Sequence, residues 1–292
     1  MNLEEWKSSG KWTNIQDINI FYRYEGNGPY LLLLHAYPTA SWGWHKMWDW
    51  LINNFTVIAP DLPGSGFSDK PKKYEYSILS LANVVQSLIR EQVQKPVHVL
   101  AHAYGSSVAQ ELLQRHHDEK ISIKSVYFIN GGIFPEVART TFMQRFLITV
   151  PGALLAQTFP TPYQTFRKNI LKTFSAQHQP TEEELLTYWY LLTYNQGHKR
   201  VPRVIQYIRE RRIFRERWVN AMQQADIPMG LLLSTQDPLI DRETANIWQK
   251  LFPEYAMDLI DTPSGHYPPL EIPHKVRDAY RSFIQLYFGK GE

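Results

Sequence analysis

The chain has 292 residues, of which 43% are hydrophobic and 20% charged, and its formal net charge is +3. This composition supports a packed core and excludes a disordered chain, and the charge is too small to argue for a nucleic-acid partner. There is no cysteine, which excludes disulfides, thiolate catalysis and cysteine-based zinc sites. The longest apolar runs, such as Leu31 to Leu34, are far too short for a bilayer, and no apolar leader stands near Met1, so no membrane span and a cytoplasmic location are expected.

Taken in chain order, Ile18 to Tyr24 predicts a strand, closed by the turn Glu25-Gly26-Asn27-Gly28. Tyr30 to His35 is a continuous apolar run, as in a strand buried on both faces. Phe55 to Ala59 predicts the next strand, Ile78 to Glu91 a helix, Val97 to His102 a strand, Gly105 to Arg115 a helix, and Val126 to Asn130 a strand. From Gly132 to Ala225 there is no buried strand run. Helical spacing rich in aromatics and arginine is broken there by Pro151, Pro160, Pro162, Pro180 and Pro202. The alternation resumes with strands at Met229 to Ser234 and Met257 to Ile260, and helices at Arg242 to Leu251 and His274 to Tyr287. The pattern predicts an α/β fold with a mostly parallel central sheet, a core formed by residues 1–131 and 227–292, and a helical cap, residues 132–226, inserted between two strands. Such a cap lies over the carboxyl ends of the strands, where open α/β sheets bind ligands.

Val97 to Ser106 runs from strand directly into helix, with the small residues Ala101 and Gly105 flanking position 103. Small residues at that spacing allow a sharp, strained turn that displays its middle residue above the sheet, where a nucleophile would stand. This chain has Ala103 there, which carries no nucleophilic atom. The loop His35-Ala36-Tyr37-Pro38 follows an earlier strand, and the backbone N–H groups of Tyr37 and Tyr104 are the expected oxyanion hole. Asp237 and His266 each follow a later strand, giving the chain order nucleophile, acid, base. Asp237 would fix the imidazole tautomer and His266 would activate water. His35, Asn130 and Tyr188 are the candidate substrate-binding residues. Asn130 reads equally well as a turn residue, and Tyr163, Tyr190 and Tyr194 join Tyr188 as cap tyrosines that could donate a proton. The basic run Lys199 to Arg217 reads as a solvated helix face. Pro60 to Asp69 is a glycine-rich turn, but the third glycine of a dinucleotide fingerprint falls at Asp69, so its role is read as structural.

The elbow, His35-Ala36-Tyr37-Pro38-Thr39, Asp61-Leu62-Pro63-Gly64-Ser65-Gly66 and Gly265-His266-Tyr267-Pro268 resemble the epoxide hydrolase and haloalkane dehalogenase branch of the α/β-hydrolases. Ile123 to Glu136, with its Asn130-Gly131-Gly132-Ile133-Phe134-Pro135-Glu136, together with His45-Lys46-Met47-Trp48 and Phe214 to Trp218, is similar to the mesoderm-specific transcript family. The resemblance spans nearly the whole chain. It implies His-Asp-Tyr-Gly at the elbow, where this chain has His102-Ala103-Tyr104-Gly105. It also implies a two-step hydrolysis of a small, largely apolar substrate such as an epoxide, haloalkane, lactone or ester, without cofactor or metal. The branch commonly places Trp after the nucleophile and Asn in the oxyanion loop to hold halide; Tyr104 and Tyr37 stand there and weigh against a halide leaving group. Three origins for Ala103 stay open: exchange of an aspartate, a natural ligand-binding pseudoenzyme, or a working enzyme in which His266 activates water directly. A serine-esterase ancestor that lost its serine is a further alternative, and oligomeric state is not legible.

Overall fold

The structure is a computed structural model and describes residues 1–93, 95–159 and 161–289. Pro160 and the last three residues of the expected core segment therefore lie outside the described residues. The strands are β1 (Lys11–Ile15), β2 (Ile18–Glu25), β3 (Tyr30–Leu34), β4 (Thr56–Pro60), β5 (Val97–His102), β6 (Ile123–Ile129), β7 (Met229–Ser234) and β8 (Ala256–Ile260). They form one sheet in the order β1-β2-β4-β3-β5-β6-β7-β8. β2 runs antiparallel to both β1 and β4, and the remaining pairs are parallel. Parallel strands covered on both faces need apolar side chains on both, which is why Leu31, Leu32, Leu33 and Leu34 are all fully buried.

The helices, in chain order, are α1 (Leu3–Ser8), α2 (Trp48–Asn54), α3 (Ile78–Gln92), α4 (Tyr104–His117), α5 (Phe142–Leu147), α6 (Val150–Thr158), α7 (Tyr163–Leu171), α8 (Glu182–Thr193), α9 (Val201–Val204), α10 (Tyr207–Ile213), α11 (Arg215–Gln223), α12 (Glu243–Leu251), α13 (Pro268–Glu271) and α14 (Pro273–Phe288). Helices α5 to α11 all lie between β6 and β7. α11 packs back on α4, the helix that leaves the elbow. Several of these helices start on side-chain caps. Thr141 accepts from the Gln144 N–H and Thr181 from the Glu184 N–H, and each capping box is closed by the returning side chain.

β1 and α1 were not expected from the sequence. Only Ile15 is buried in β1, so its pattern carries little period-two signal, and pairing with β2 holds it in the sheet. Around this scaffold, α5, α6 and the residue that follows α6 leave Phe142, Val150, Leu154 and Phe159 at 67% exposed or more. Among the described residues no helix is long and apolar enough to cross a membrane.

Candidate active site

Every expected catalytic position lies just past the carboxyl end of a parallel strand: Tyr37 after β3, Ala103 after β5, Asp237 after β7 and His266 after β8. Ala103 is the turn residue between β5 and α4, with φ 50° and ψ −100°. A non-glycine residue in that region is strained, and the strain is held by packing on both sides. Ala103 N–H donates to the Ile129 carbonyl at 3.0 Å and Gly105 N–H to the His35 carbonyl at 3.1 Å. A Cβ on Gly105 would stand 2.4 Å from the Leu34 carbonyl oxygen, so only glycine lets α4 approach β3 this closely.

The expected acid and base are in contact. His266 Nδ1–H donates to Asp237 Oδ2 at 2.8 Å, and the other carboxylate oxygen accepts from Leu239 N–H at 2.7 Å. Both side chains are buried, and Asp237 fixes the tautomer that leaves His266 Nε2 as the acceptor. The loop around His266 is held from several sides. Glu271 accepts from the N–H groups of Gly265 and Tyr267 at 2.8 and 3.0 Å, and His266 N–H donates to the Thr173 carbonyl at 2.7 Å. His102 Nε2–H donates to the His266 carbonyl at 2.8 Å. Burial, reinforced by the neighbouring His266, pushes the His102 pKa down to about 3, so this ring stays a neutral donor.

Tyr104 N–H opens α4 and has no acceptor within its helix, and Tyr37 N–H has no acceptor among the described residues. Both donors are therefore available to an incoming oxygen. Their rings pack edge to face at a centroid distance of 5.9 Å, and burial raises both phenols well above their ordinary pKa.

A small cavity of about 30 Å³ lies between Ala103, Asn130 and His266 on the sheet side and Tyr207, Ile208 and Arg211 of α10. That is space for a water molecule. A second, mainly apolar cavity of about 150 Å³ is walled by Tyr37, Leu147, Phe166, Ile170, Trp189 and Tyr267, and it shares Gln144 and Leu239 with the first.

The three residues expected to bind substrate are placed differently from one another, and only Asn130 lines either cavity. His35 is fully buried, donates from Nδ1 to the Ala36 carbonyl at 2.7 Å and accepts at Nε2 from Leu62 N–H at 3.0 Å. Nε2 thus ties the loop after β3 to the glycine-rich turn, and Nδ1 is used within that loop. That turn is itself built around Asp61, which accepts from Ser41 N–H and Phe67 N–H, each at 2.7 Å. Asn130 has φ 43°, donates from Nδ2 to the Gly265 carbonyl at 3.0 Å and accepts at Oδ1 from Ser234 N–H at 2.9 Å. It lines the cavity, and its side chain also clamps the end of β7 to the loop of His266. Tyr188 packs against Trp42 and Phe174 and lines neither cavity, nor do Tyr163, Tyr190 or Tyr194. The tyrosine of the helical segment that reaches the small cavity is Tyr207, whose ring lies 4.7 Å from that of Tyr104.

The basic run also departs from expectation. Arg200 and Arg211 are buried while Arg203, Arg209 and Arg212 are exposed, so the run is amphipathic rather than uniformly solvated. Arg211 and Tyr207, four residues apart on one helix face, are the site residues that the sequence did not single out.

The strand order, the strained turn at Ala103 and the buried His266–Asp237 pair are the arrangement of one large enzyme class, and sequence comparison agrees. The family model described as alpha/beta hydrolase fold matches residues 29–273, and the chain belongs to that family. Within it the chain groups with the mesoderm-specific transcript proteins: it is 35% identical to the mesoderm-specific transcript protein of Mus musculus, over 98% of this chain and 88% of that protein. Among solved structures, a bromoperoxidase from Bacillus anthracis superposes with a TM-score of 0.78 at 15% identity, covering 95% of this chain and 100% of that one. A variant of an epoxide hydrolase from Bacillus megaterium superposes with a TM-score of 0.72 at 20% identity, covering 94% and 100%. At these identities the two structures speak to the fold.

Proposed function

We propose that the protein is a hydrolase scaffold for a small, largely apolar electrophile (an epoxide, lactone, ester or haloalkane) and that Ala103 occupies the place of its attacking aspartate. The observation that carries this reading is the His266–Asp237 pair at 2.8 Å, facing Ala103 across a cavity with room for a water. In this reading residues 132–226 form the cap over the core of residues 1–131 and 227–292, and exclude bulk water from the reaction. With aspartate at 103, its carboxylate oxygen attacks a substrate carbon and forms an enzyme ester. As that bond forms, the bond from the carbon to its leaving group breaks: a departing oxygen takes its proton from a nearby donor, for which Tyr207 is the phenol in reach of the cavity, and a halide leaves as the anion. His266 Nε2 then takes a proton from water as the resulting hydroxide attacks the ester carbonyl. The N–H groups of Tyr37 and Tyr104 receive the developing oxyanion, whose collapse breaks the ester C–O bond; the product leaves as an alcohol with the proton from His266, and the freed carboxylic acid returns its proton to the Tyr207 phenolate or to solvent. With Ala103 the covalent step has no nucleophile, and binding and charge stabilisation are what remain.

Ala103→Asp, assayed with styrene oxide, a chloroalkane and p-nitrophenyl butyrate, is expected to raise turnover of at least one of them by about 10³-fold or more over the unmodified chain. Ala103→Ser is the control for an esterase ancestor. No gain with either variant, together with ligand binding in both, would sink the hydrolase reading in favour of a binding protein.

A further inference from the structure

Helix α10 brings a charge to this cavity that the reaction above does not use. Arg211 is 9% exposed. Its Nε–H donates to Ser107 Oγ at 2.7 Å and its Nη2 to the Ala103 carbonyl at 2.9 Å, and the guanidinium lies 4.7 Å over the Tyr207 ring. All of these partners are neutral. No carboxylate of the described residues is ion-paired with Arg211, and Nη1 has no protein acceptor. The nearest phenols, Tyr207 and Tyr104, are held protonated by burial. The fold also makes room for this group: a Cβ on Gly132 would come within 2.4 Å of Arg211 Nη1. The other charged residues on the cavity wall are Arg139, which pairs with Asp241, and the exposed Arg212; no acidic residue lines it. A buried guanidinium without a counter-ion is among the costliest groups a protein interior holds, and the planar edge made by Nη1–H and the remaining Nη2–H is matched to a carboxylate.

We infer that the cavity between Ala103 and α10 binds an organic carboxylate, with the carboxylate on Arg211 and an apolar body in the adjoining cavity walled by Phe166, Ile170 and Trp189. This inference rests on the hydrolase reading for the site's role in turnover and names its substrate class as anionic, but the binding itself needs no turnover. It is tested on the unmodified chain by calorimetric titration with phenylbutyrate and with its neutral isostere phenylbutyramide, at neutral pH and low salt. The carboxylate is expected to bind about tenfold tighter or more. Arg211→Gln erases that preference while leaving amide affinity in place, Arg211→Lys keeps part of it, and Arg212→Gln leaves it unchanged. Equal binding of the two probes, binding of neither, or a preference that survives Arg211→Gln overturns the inference. If Arg211→Gln does not fold, the Nε resonance of Arg211 in isotope-labelled protein replaces it: the resonance must move with the carboxylate and not with the amide, and an unmoved resonance overturns the inference. Turnover of neutral styrene oxide by Ala103→Asp is read separately, so loss of the charge preference leaves the hydrolase reading standing.

Discussion

Ala103 holds a backbone conformation that alanine does not favour, with φ 50°, and nothing about its own methyl group accounts for that. The turn is imposed by its neighbours, above all by Gly105 against the Leu34 carbonyl. Gly105→Ala is therefore expected to destabilise the protein by at least about 2 kcal/mol, because the obstructing atoms are backbone and cannot turn aside. A thermal melt indistinguishable from that of the unmodified chain would show that the turn relaxes. At this scale the sequence was informative wherever position relative to a strand end decides the role. Tyr37, Tyr104, Asp237 and His266 all fall where the strand boundaries put them. For His35, Asn130 and Tyr188 it was less informative, because residue type shows which hydrogen bonds a side chain can make and not which partner takes them. Arg211 was hidden inside a run of arginines, where only tertiary packing separates the buried member from its solvated neighbours.

At the scale of elements, α4 carries the elbow and is fastened on its far side by Glu111. That carboxylate accepts from Arg115, from both Nε and Nη2 of Arg217, and from Trp218 Nε1 at 2.9 Å, joining α4 to α11. Burial raises its pKa, but the hydrogen bonds from Arg217, Trp218 and Arg115 outweigh burial and hold it below the usual carboxylate range. Glu111→Gln keeps the shape and removes the charge, so it is expected to cost about 2–4 kcal/mol in a urea titration. The partly exposed Arg217 places the value at the lower end. An unchanged midpoint would mean that α11 is held by its apolar contacts alone. Most elements were legible because their periodicity is strong: β5 and β7 were bounded to the residue, and α3 and α14 to within a residue or so. β1 was not, since a half-exposed edge strand lacks the apolar alternation that marks one. The breaks within the segment between β6 and β7 follow prolines and caps, and the seven α-helices among its described residues are short enough that spacing alone does not separate them.

For the whole molecule, buried histidines set a lower limit on working pH. Burial pushes His45 and His98 down to about 4 and His102 to about 3, against about 6.5 in an unfolded chain. Below that value the unfolded chain takes up protons that the folded chain refuses. Stability is therefore full above about pH 6.5 and falls toward pH 4, by about 1.4 kcal/mol per pH unit for each ring. Between pH 7 and pH 5 the three together remove roughly 5 kcal/mol, read as a drop in the urea midpoint. Replacing His98, which bonds Ser125 Oγ inside the sheet, by asparagine should flatten that dependence. A midpoint constant across this range in the unmodified chain would contradict it.

Asn130 joins the end of β7 to the loop of His266, and Glu271 and His102 hold that loop without calling on the side chain at 103. The His266–Asp237 pair is thus assembled independently of the side chain at 103. In genetic terms, every aspartate codon is a single base from an alanine codon. On the reading proposed here, a competent form of this scaffold is therefore one point mutation from the inert one, and a population could lose its attacking group without refolding its active site.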